Sequence, residues 1–186
     1  EVVVGAIFSG EYNDNSLDAV EIAKISQYAE NVFFGKPCGL MDQTACAVGS
    51  AITIDFKDPA APVVNKVAFD LAKHGFALCI TDTKGSHADL TDDYAAIRSE
   101  MESVAAFFGK KVLREVKEED LFANLSAVRE KLGDRACLRA IHFFAECRRA
   151  AVLYQDVADD RFDDFLSDII QGGHSSFEYN QNAYSI

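Results

Sequence analysis

Glu30-Asn31-Val32-Phe33-Phe34-Gly35-Lys36-Pro37-Cys38-Gly39-Leu40-Met41-Asp42-Gln43 is the stretch on which the reading of the chain turns. Its two carboxylates, Glu30 and Asp42, lie twelve positions apart. Between them Pro37 ends any helix, because it lacks an N–H and clashes with the preceding turn, and Gly39 can take backbone angles closed to other residues. The punctuation delivers Asp42 to the start of a helix over Gln43 to Val48, stopped at Gly49. Such a loop between rigid elements is where binding and catalytic groups concentrate. Each acid also has an ordinary explanation. Glu30 reads as a solvated surface acid, and Asp42 as a helix cap, a role as frequent for Asp as catalysis. Leu40 and Met41 set the Asp42 carboxylate beside apolar groups, where its charge would count for more than in water.

Upstream, Glu1 to Phe8 is apolar all round and β-branched, so periodicity does not separate helix from strand. The polar run Gly10 to Ser16 is a loop, and Ser16 is the expected N-cap of the next helix, with Asp18 and Glu21 near its positive end. Ala19, Ile22, Ile25, Ala29 and Val32 recur at three- and four-residue steps and predict its buried face; Glu30 lies off that line.

Downstream, Ala51 to Phe56 alternates as a strand, Asp58, Pro59 and Pro62 mark a turn, and Val63 to Phe69 reads as a second strand. Phe76 to Asp82 is almost wholly apolar and is expected as a central strand covered on both faces. It runs into the polar loop Thr83 to His87, where no Ser or Cys nucleophile motif accompanies His87, so a structural or substrate-adjacent histidine is expected. Leu90, Tyr94, Ile97, Met101, Val104 and Phe108 form one helical stripe ended by Gly109, which casts Tyr94 as a core tyrosine. Lys110 to Val116 reads as a short edge strand, and Lys117 to Asp120 as a solvated helix start. Asp134 is expected to cap a helix through Tyr154 with Leu138, Ile141, Ala145 and Val152 inward. Phe162, Phe165, Leu166 and Ile169 define another helix, closed by Gly172-Gly173.

Composition bounds the possibilities. The 186 residues are 49% hydrophobic and 26% charged, ordinary globular material with no run long enough to span a membrane. A net charge of -12 argues against nucleic acid or an anionic membrane as partner, since both want a basic face. A phosphorylated small molecule stays open, because backbone N–H groups and a divalent metal can hold it locally. Cys38, Cys46, Cys79, Cys137 and Cys147 are odd in number and scattered without a C-x-x-C pair, so they read as reduced, mostly buried thiols of a cytosolic protein rather than zinc ligands. Glu1 opens directly into apolar sequence with no basic leader, and neither end carries a terminating feature, so a segment of a longer protein is expected.

With these residues read, Glu30 to Gln43 together with Asp82 to Met101 resembles the galactokinase family of the GHMP kinase superfamily. Gly133 to Ala145 and Ser175-Ser176-Phe177 look like later parts of the same family, so the likeness runs through essentially the whole chain while covering about the middle half of such a protein. Cys38-Gly39-Leu40-Met41-Asp42-Gln43 is its most specific motif.

The resemblance implies an α+β, two-domain GHMP-kinase-like fold. Residues 1–60 would be the end of the N-terminal domain with the catalytic loop, and 61–186 part of a helix-rich, sheet-containing C-terminal domain. It implies a cytoplasmic enzyme that phosphorylates galactose at the C1 hydroxyl with ATP and Mg2+. Asp42 would be the catalytic base facing that hydroxyl, Glu30 the metal ligand, Gly39 a backbone surface against the sugar and Tyr94 a sugar contact. The family's Arg-containing sugar motif, its phosphate-cradling loop and its C-terminal Gly-rich motif are not in this sequence. Ser86 stands where many members have a basic residue, so no nucleotide contact is assigned, and the segment alone is expected to be inactive. Competing expectations are a galactose and ATP sensor acting through a protein partner, an N-acetylgalactosamine kinase of the same superfamily, and a purely structural module; oligomeric state is not specified.

Overall fold

The computed structural model describes residues 1–35, 38–82, 84 and 91–182. The chain divides into two compact units, Glu1–Asp70 and Leu71–Ile186.

In the first unit the ambiguous apolar start is a helix, α1 (Val2–Tyr12). Gly5 explains part of this: a Cβ there would meet Ile22 Cγ2 at 3.2 Å, so the glycine permits a close crossing with α2 (Ala19–Tyr28). The start of α2 corrects the expected cap. Asp18, not Ser16, is the N-cap: its Oδ1 accepts from the Glu21 N–H at 2.8 Å while Glu21 Oε2 accepts from the Asp18 N–H at 2.9 Å, a reciprocal capping box. The buried face is also shifted by one position, onto Ala23 and Ser26, and Ile25 and Val32 are exposed. Small residues face inward because α1 and α3 (Met41–Val48) pack closely on this helix. An antiparallel pair follows, β1 (Ala51–Asp55) with β2 (Val63–Val67), in the register Ala51↔Val67 to Asp55↔Val63. Its connecting turn is held by Asp58 Oδ1, which accepts from the Ala60 N–H, and by Lys24 Nζ, which donates to the Ala60 carbonyl.

The second unit is built from α4 (Thr91–Phe107), α5 (Glu118–Ala123), α6 (Leu125–Leu132), α7 (Asp134–Ala158) and α8 (Phe162–Ser175). Its core joins Val104, Leu113, Val116, Leu121, Val128, Cys137 and Ala140; complete burial of a side chain such as Leu121 contributes about 1.5–3 kcal/mol. Buried Arg139 is neutralised by Glu100 at 2.9 Å and donates to the Asn180 carbonyl at 3.1 Å, tying α7 to α4 and to the π-helical turn Ser176–Asn180.

Several expectations fail here for identifiable reasons. Lys110 to Val116 is not an edge strand but a 3₁₀ turn (Leu113–Glu115) that presses Leu113 and Val116 into the core. Phe76 to Asp82 is not a covered strand: no described residue pairs with it, and Leu78 and Ile80 are 81% and 93% exposed. Gly133, at φ +86, is the N-cap of α7, and Asp134 is its first residue, ion-paired with Arg129. Val152 faces outward. Gly172-Gly173 does not stop α8. At Gly172 the helix runs beside Glu146 and Arg149 of α7, where a Cβ would make ordinary van der Waals contact. The fold is α+β, with its described sheet confined to the first unit.

Candidate functional site

The stretch from Glu30 to Gln43 is organised by a change of helix type. After Tyr28 the α2 backbone widens into one π-helical turn, Ala29–Phe34, ended by Gly35 at φ +76, whose N–H donates to the Glu30 carbonyl. Asn31 on this turn clamps the far side of the loop in both directions. Its Oδ1 accepts from the Cys38 N–H at 2.7 Å, and its Nδ2 donates to the Cys38 carbonyl at 3.3 Å. Gln27, one turn earlier, donates to the same carbonyl at 3.2 Å. Leu40 is buried and is the N-cap of α3, and Thr44 Oγ1 donates to its carbonyl at 2.7 Å, so the helix start is fixed from below.

On this frame the two acids take different settings. Glu30 is half-buried, and its Oε2 accepts from Gln43 Nε2 at 3.0 Å, so the π turn and α3 are joined at the carboxylate. Gln43 is 8% exposed and donates also to Cys38 Sγ at 3.3 Å, while its Oε1 is buried with no partner among the described residues. Asp42, the neighbouring residue of α3, is exposed; its carboxylate makes no hydrogen bond or ion pair among the described residues. It sits second in α3, with Leu40 at the cap, so the capping role is excluded; the positive helix end still favours an anion there. Met41 beside it is exposed as well, so Asp42 does not have the apolar setting expected of it. A Cβ at Gly39 would meet nothing within 4 Å among the described residues, and no positive φ demands glycine there. Neither packing nor backbone conformation within this unit calls for a glycine.

Tyr94 is carried by α4 in the second unit and is 48% exposed, which overturns its casting as a core residue. His87 and the rest of the loop at 85–90 lie outside the described residues. The five cysteines form no disulfide and are not mostly buried: Cys46, Cys79 and Cys147 are exposed, Cys38 is half-buried, and Cys137 alone is buried, where desolvation pushes its thiol up. Among the described residues no three His, Cys, Asp or Glu side chains converge on one point. Glu30 offers a carboxylate oxygen beside the Gln43 amide, a donor type that suits a hard cation of the kind that keeps waters and substrate oxygens rather than an all-protein cage.

Asn31 and Gln27 escaped the sequence reading. The available signal was an Asn at a helix end before a Gly/Pro loop, a residue type that bonds neighbouring backbone in competition with helix.

Residues 2–50 match the family described as GHMP kinases N terminal domain, a span that contains Glu30, Gly39 and Asp42. The chain is 33% identical over 163 residues to a galactokinase of Streptomyces coelicolor, covering 84% of this chain and 40% of that protein. It is equally similar to a galactokinase of Mycobacterium tuberculosis (33%, covering 86% and 42%) and comparably to one of Actinobacillus pleuropneumoniae (32%, covering 88% and 41%). The chain therefore spans about two fifths of the length of these curated relatives.

Proposed function

We propose that this chain's protein transfers the γ-phosphate of ATP to the C1 hydroxyl of galactose, a reading supported by the match of residues 2–50 to the GHMP kinases N terminal domain and by the likeness to galactokinases over most of the chain. The observation that carries the reading is the Gln43–Glu30 hydrogen bond at 3.0 Å, which joins the turn bearing one acid to the helix bearing the other.

Phosphoryl transfer asks mainly for positioning and charge stabilisation. Asp42, exposed at the start of α3 and without a competing partner among the described residues, accepts the proton of the sugar hydroxyl as its oxygen attacks phosphorus. The anomeric hydroxyl is too weak an acid to react unaided. Glu30 would hold Mg2+ through a carboxylate oxygen, and the ion would supply charge neutralisation for the phosphate oxygens. Gly39 lets backbone approach the sugar, and Tyr94 contributes a hydroxyl and a ring face to it. We assign residues 1–60 to the end of an N-terminal domain and 61–186 to part of a C-terminal domain. The setting we assign is cytoplasmic; among the described residues no helix is long and apolar enough to cross a membrane.

The test is ATP consumption by the whole protein with galactose, N-acetylgalactosamine and glucose in turn, repeated for Glu30→Gln. We expect turnover with galactose, and a Glu30→Gln enzyme that needs more Mg2+ while its galactose KM holds. Absence of sugar-dependent turnover, or an unchanged metal response, would remove the assignment.

A further inference from the structure

We infer that Gln43 is a positioning residue for the metal carboxylate: its side-chain amide fixes the rotamer of Glu30 and so the direction in which Glu30 presents an oxygen. The inference rests on the reading of Glu30 as a magnesium ligand and adds to it a residue that no contact with substrate would reveal.

Three observations converge on this. First, both N–H donors of Gln43 are used, one on Glu30 Oε2 at 3.0 Å and one on Cys38 Sγ at 3.3 Å, so one acceptor lies on the π turn and the other on the loop that leads from it to α3. The reverse orientation of the amide would set its oxygen against the carboxylate, so Glu30 itself dictates which way the group points. Second, Gln43 is 8% exposed, yet its Oε1 is buried without a donor among the described residues. A residue kept only to fill space between α2 and α3 would be better apolar, because a buried carbonyl oxygen without a donor lowers stability. What the amide does accomplish is the bond to Glu30. Third, Glu30 is a side chain that such a bond can direct. It sits on a single π-helical turn at the end of a helix, where a long side chain has several rotamers, and a metal ligand gains affinity when a neighbouring donor removes that freedom. Cys38, the other acceptor, is itself pinned by Asn31 and Gln27, so the amide is braced against a fixed point.

The experiment uses the whole protein and titrates Mn2+, read by electron paramagnetic resonance, in the presence of a non-hydrolysable ATP analogue. Melting temperature and galactose KM are measured alongside. In Gln43→Met, which keeps length and volume but has no donor, Mn2+ affinity is expected to fall by about tenfold, as for groups that hydrogen-bond a metal ligand. The melting temperature should hold or rise and galactose KM should hold. Gln43→Asn, one carbon too short to reach Glu30 but still an amide, should lose Mn2+ affinity in the same way and guards against a folding defect in the first variant. In a Glu30→Gln background, Gln43→Met should cost no further affinity, because the two residues act through one carboxylate. Mn2+ affinity within twofold of wild type in both Gln43 variants, with Glu30→Gln impaired, overturns the positioning role and leaves the metal assignment standing. Unchanged affinity in Glu30→Gln overturns the metal assignment and the inference with it. A fall in melting temperature that accounts for the lost affinity in both Gln43 variants makes Gln43 a packing residue and likewise overturns the inference.

Discussion

Asp42 and Gly39 are separated by two residues and make opposite demands on a substitution experiment. Asp42 has no hydrogen bond or ion pair among the described residues, so Asp42→Ala should leave the fold intact and act on chemistry alone. Removing a positioned general base costs about 10²–10⁴ in rate, and we expect a fall in kcat of that order with an unchanged melting temperature; near-normal phosphorylation would exclude the role. Gly39→Ala tests contact instead. A methyl there meets nothing within 4 Å among the described residues, so stability should hold while galactose KM rises several-fold. An unchanged KM would mean that the sugar does not approach Gly39. Both acids were legible from type and spacing alone, and their tasks came from resemblance. The clamp that sets them was not legible. Asn31, Gln27 and Gln43 act through the path of the loop backbone and through one another, and a linear pattern does not encode which carbonyl a side-chain amide will meet.

At the scale of elements, the seam between α7 and α8 carries a pH dependence. His142 on α7 is nearly enclosed: its Nδ1 lies 2.9 Å from Ser175 Oγ and 4.0 Å from Glu146, with Arg149 nearby. Desolvation, reinforced by Arg149 and opposed by the Ser175 hydrogen bond, holds the imidazole below its ordinary value of 6.5. The unfolded chain therefore binds a proton at a higher pH than the native chain does. The contribution is complete above about 6.5 and is lost as pH falls through the lower native value. Denaturant unfolding between pH 7.5 and 5 should show stability declining across that window, and His142→Phe should flatten the slope. A slope unchanged by the substitution would place the titration elsewhere. The depressed carboxylates Asp82, Asp134, Asp159 and Asp160 act only lower, near and below 3.8. The helices themselves were legible, since a 3.6-residue period survives in α2, α4, α7 and α8. Faces and stops were less so. Ile25 and Val32 fit the period yet point outward because close helix crossings select the small Ala23 and Ser26. Gly172-Gly173 reads as a terminator, yet α8 runs through it to Ser175.

For the whole molecule the decisive quantity is apolar surface left in water. The run from Phe76 to Asp82 reads as a buried strand because it is almost wholly apolar, but a strand is an agreement between neighbours, and no described residue pairs with this one as a strand. Leu78 and Ile80 therefore stand almost fully exposed, and Val3, Ile7 and Phe8 on α1 add further exposed apolar surface. Surfaces of this kind drive association. Against this stands a net charge of -12, whose mutual repulsion keeps copies apart at low ionic strength. The two effects respond oppositely to salt. Screening shortens the reach of the repulsion from about 30 Å at 0.01 M to about 3 Å at 1 M and leaves the hydrophobic term in place. We expect the 186-residue polypeptide, followed by sedimentation velocity at fixed concentration, to shift from smaller to larger species as salt rises, and Leu78→Lys with Ile80→Lys to suppress that shift. Association that weakens with salt would identify ion pairing as its cause, and an undiminished shift in the double variant would clear the 76–82 run and turn attention to α1.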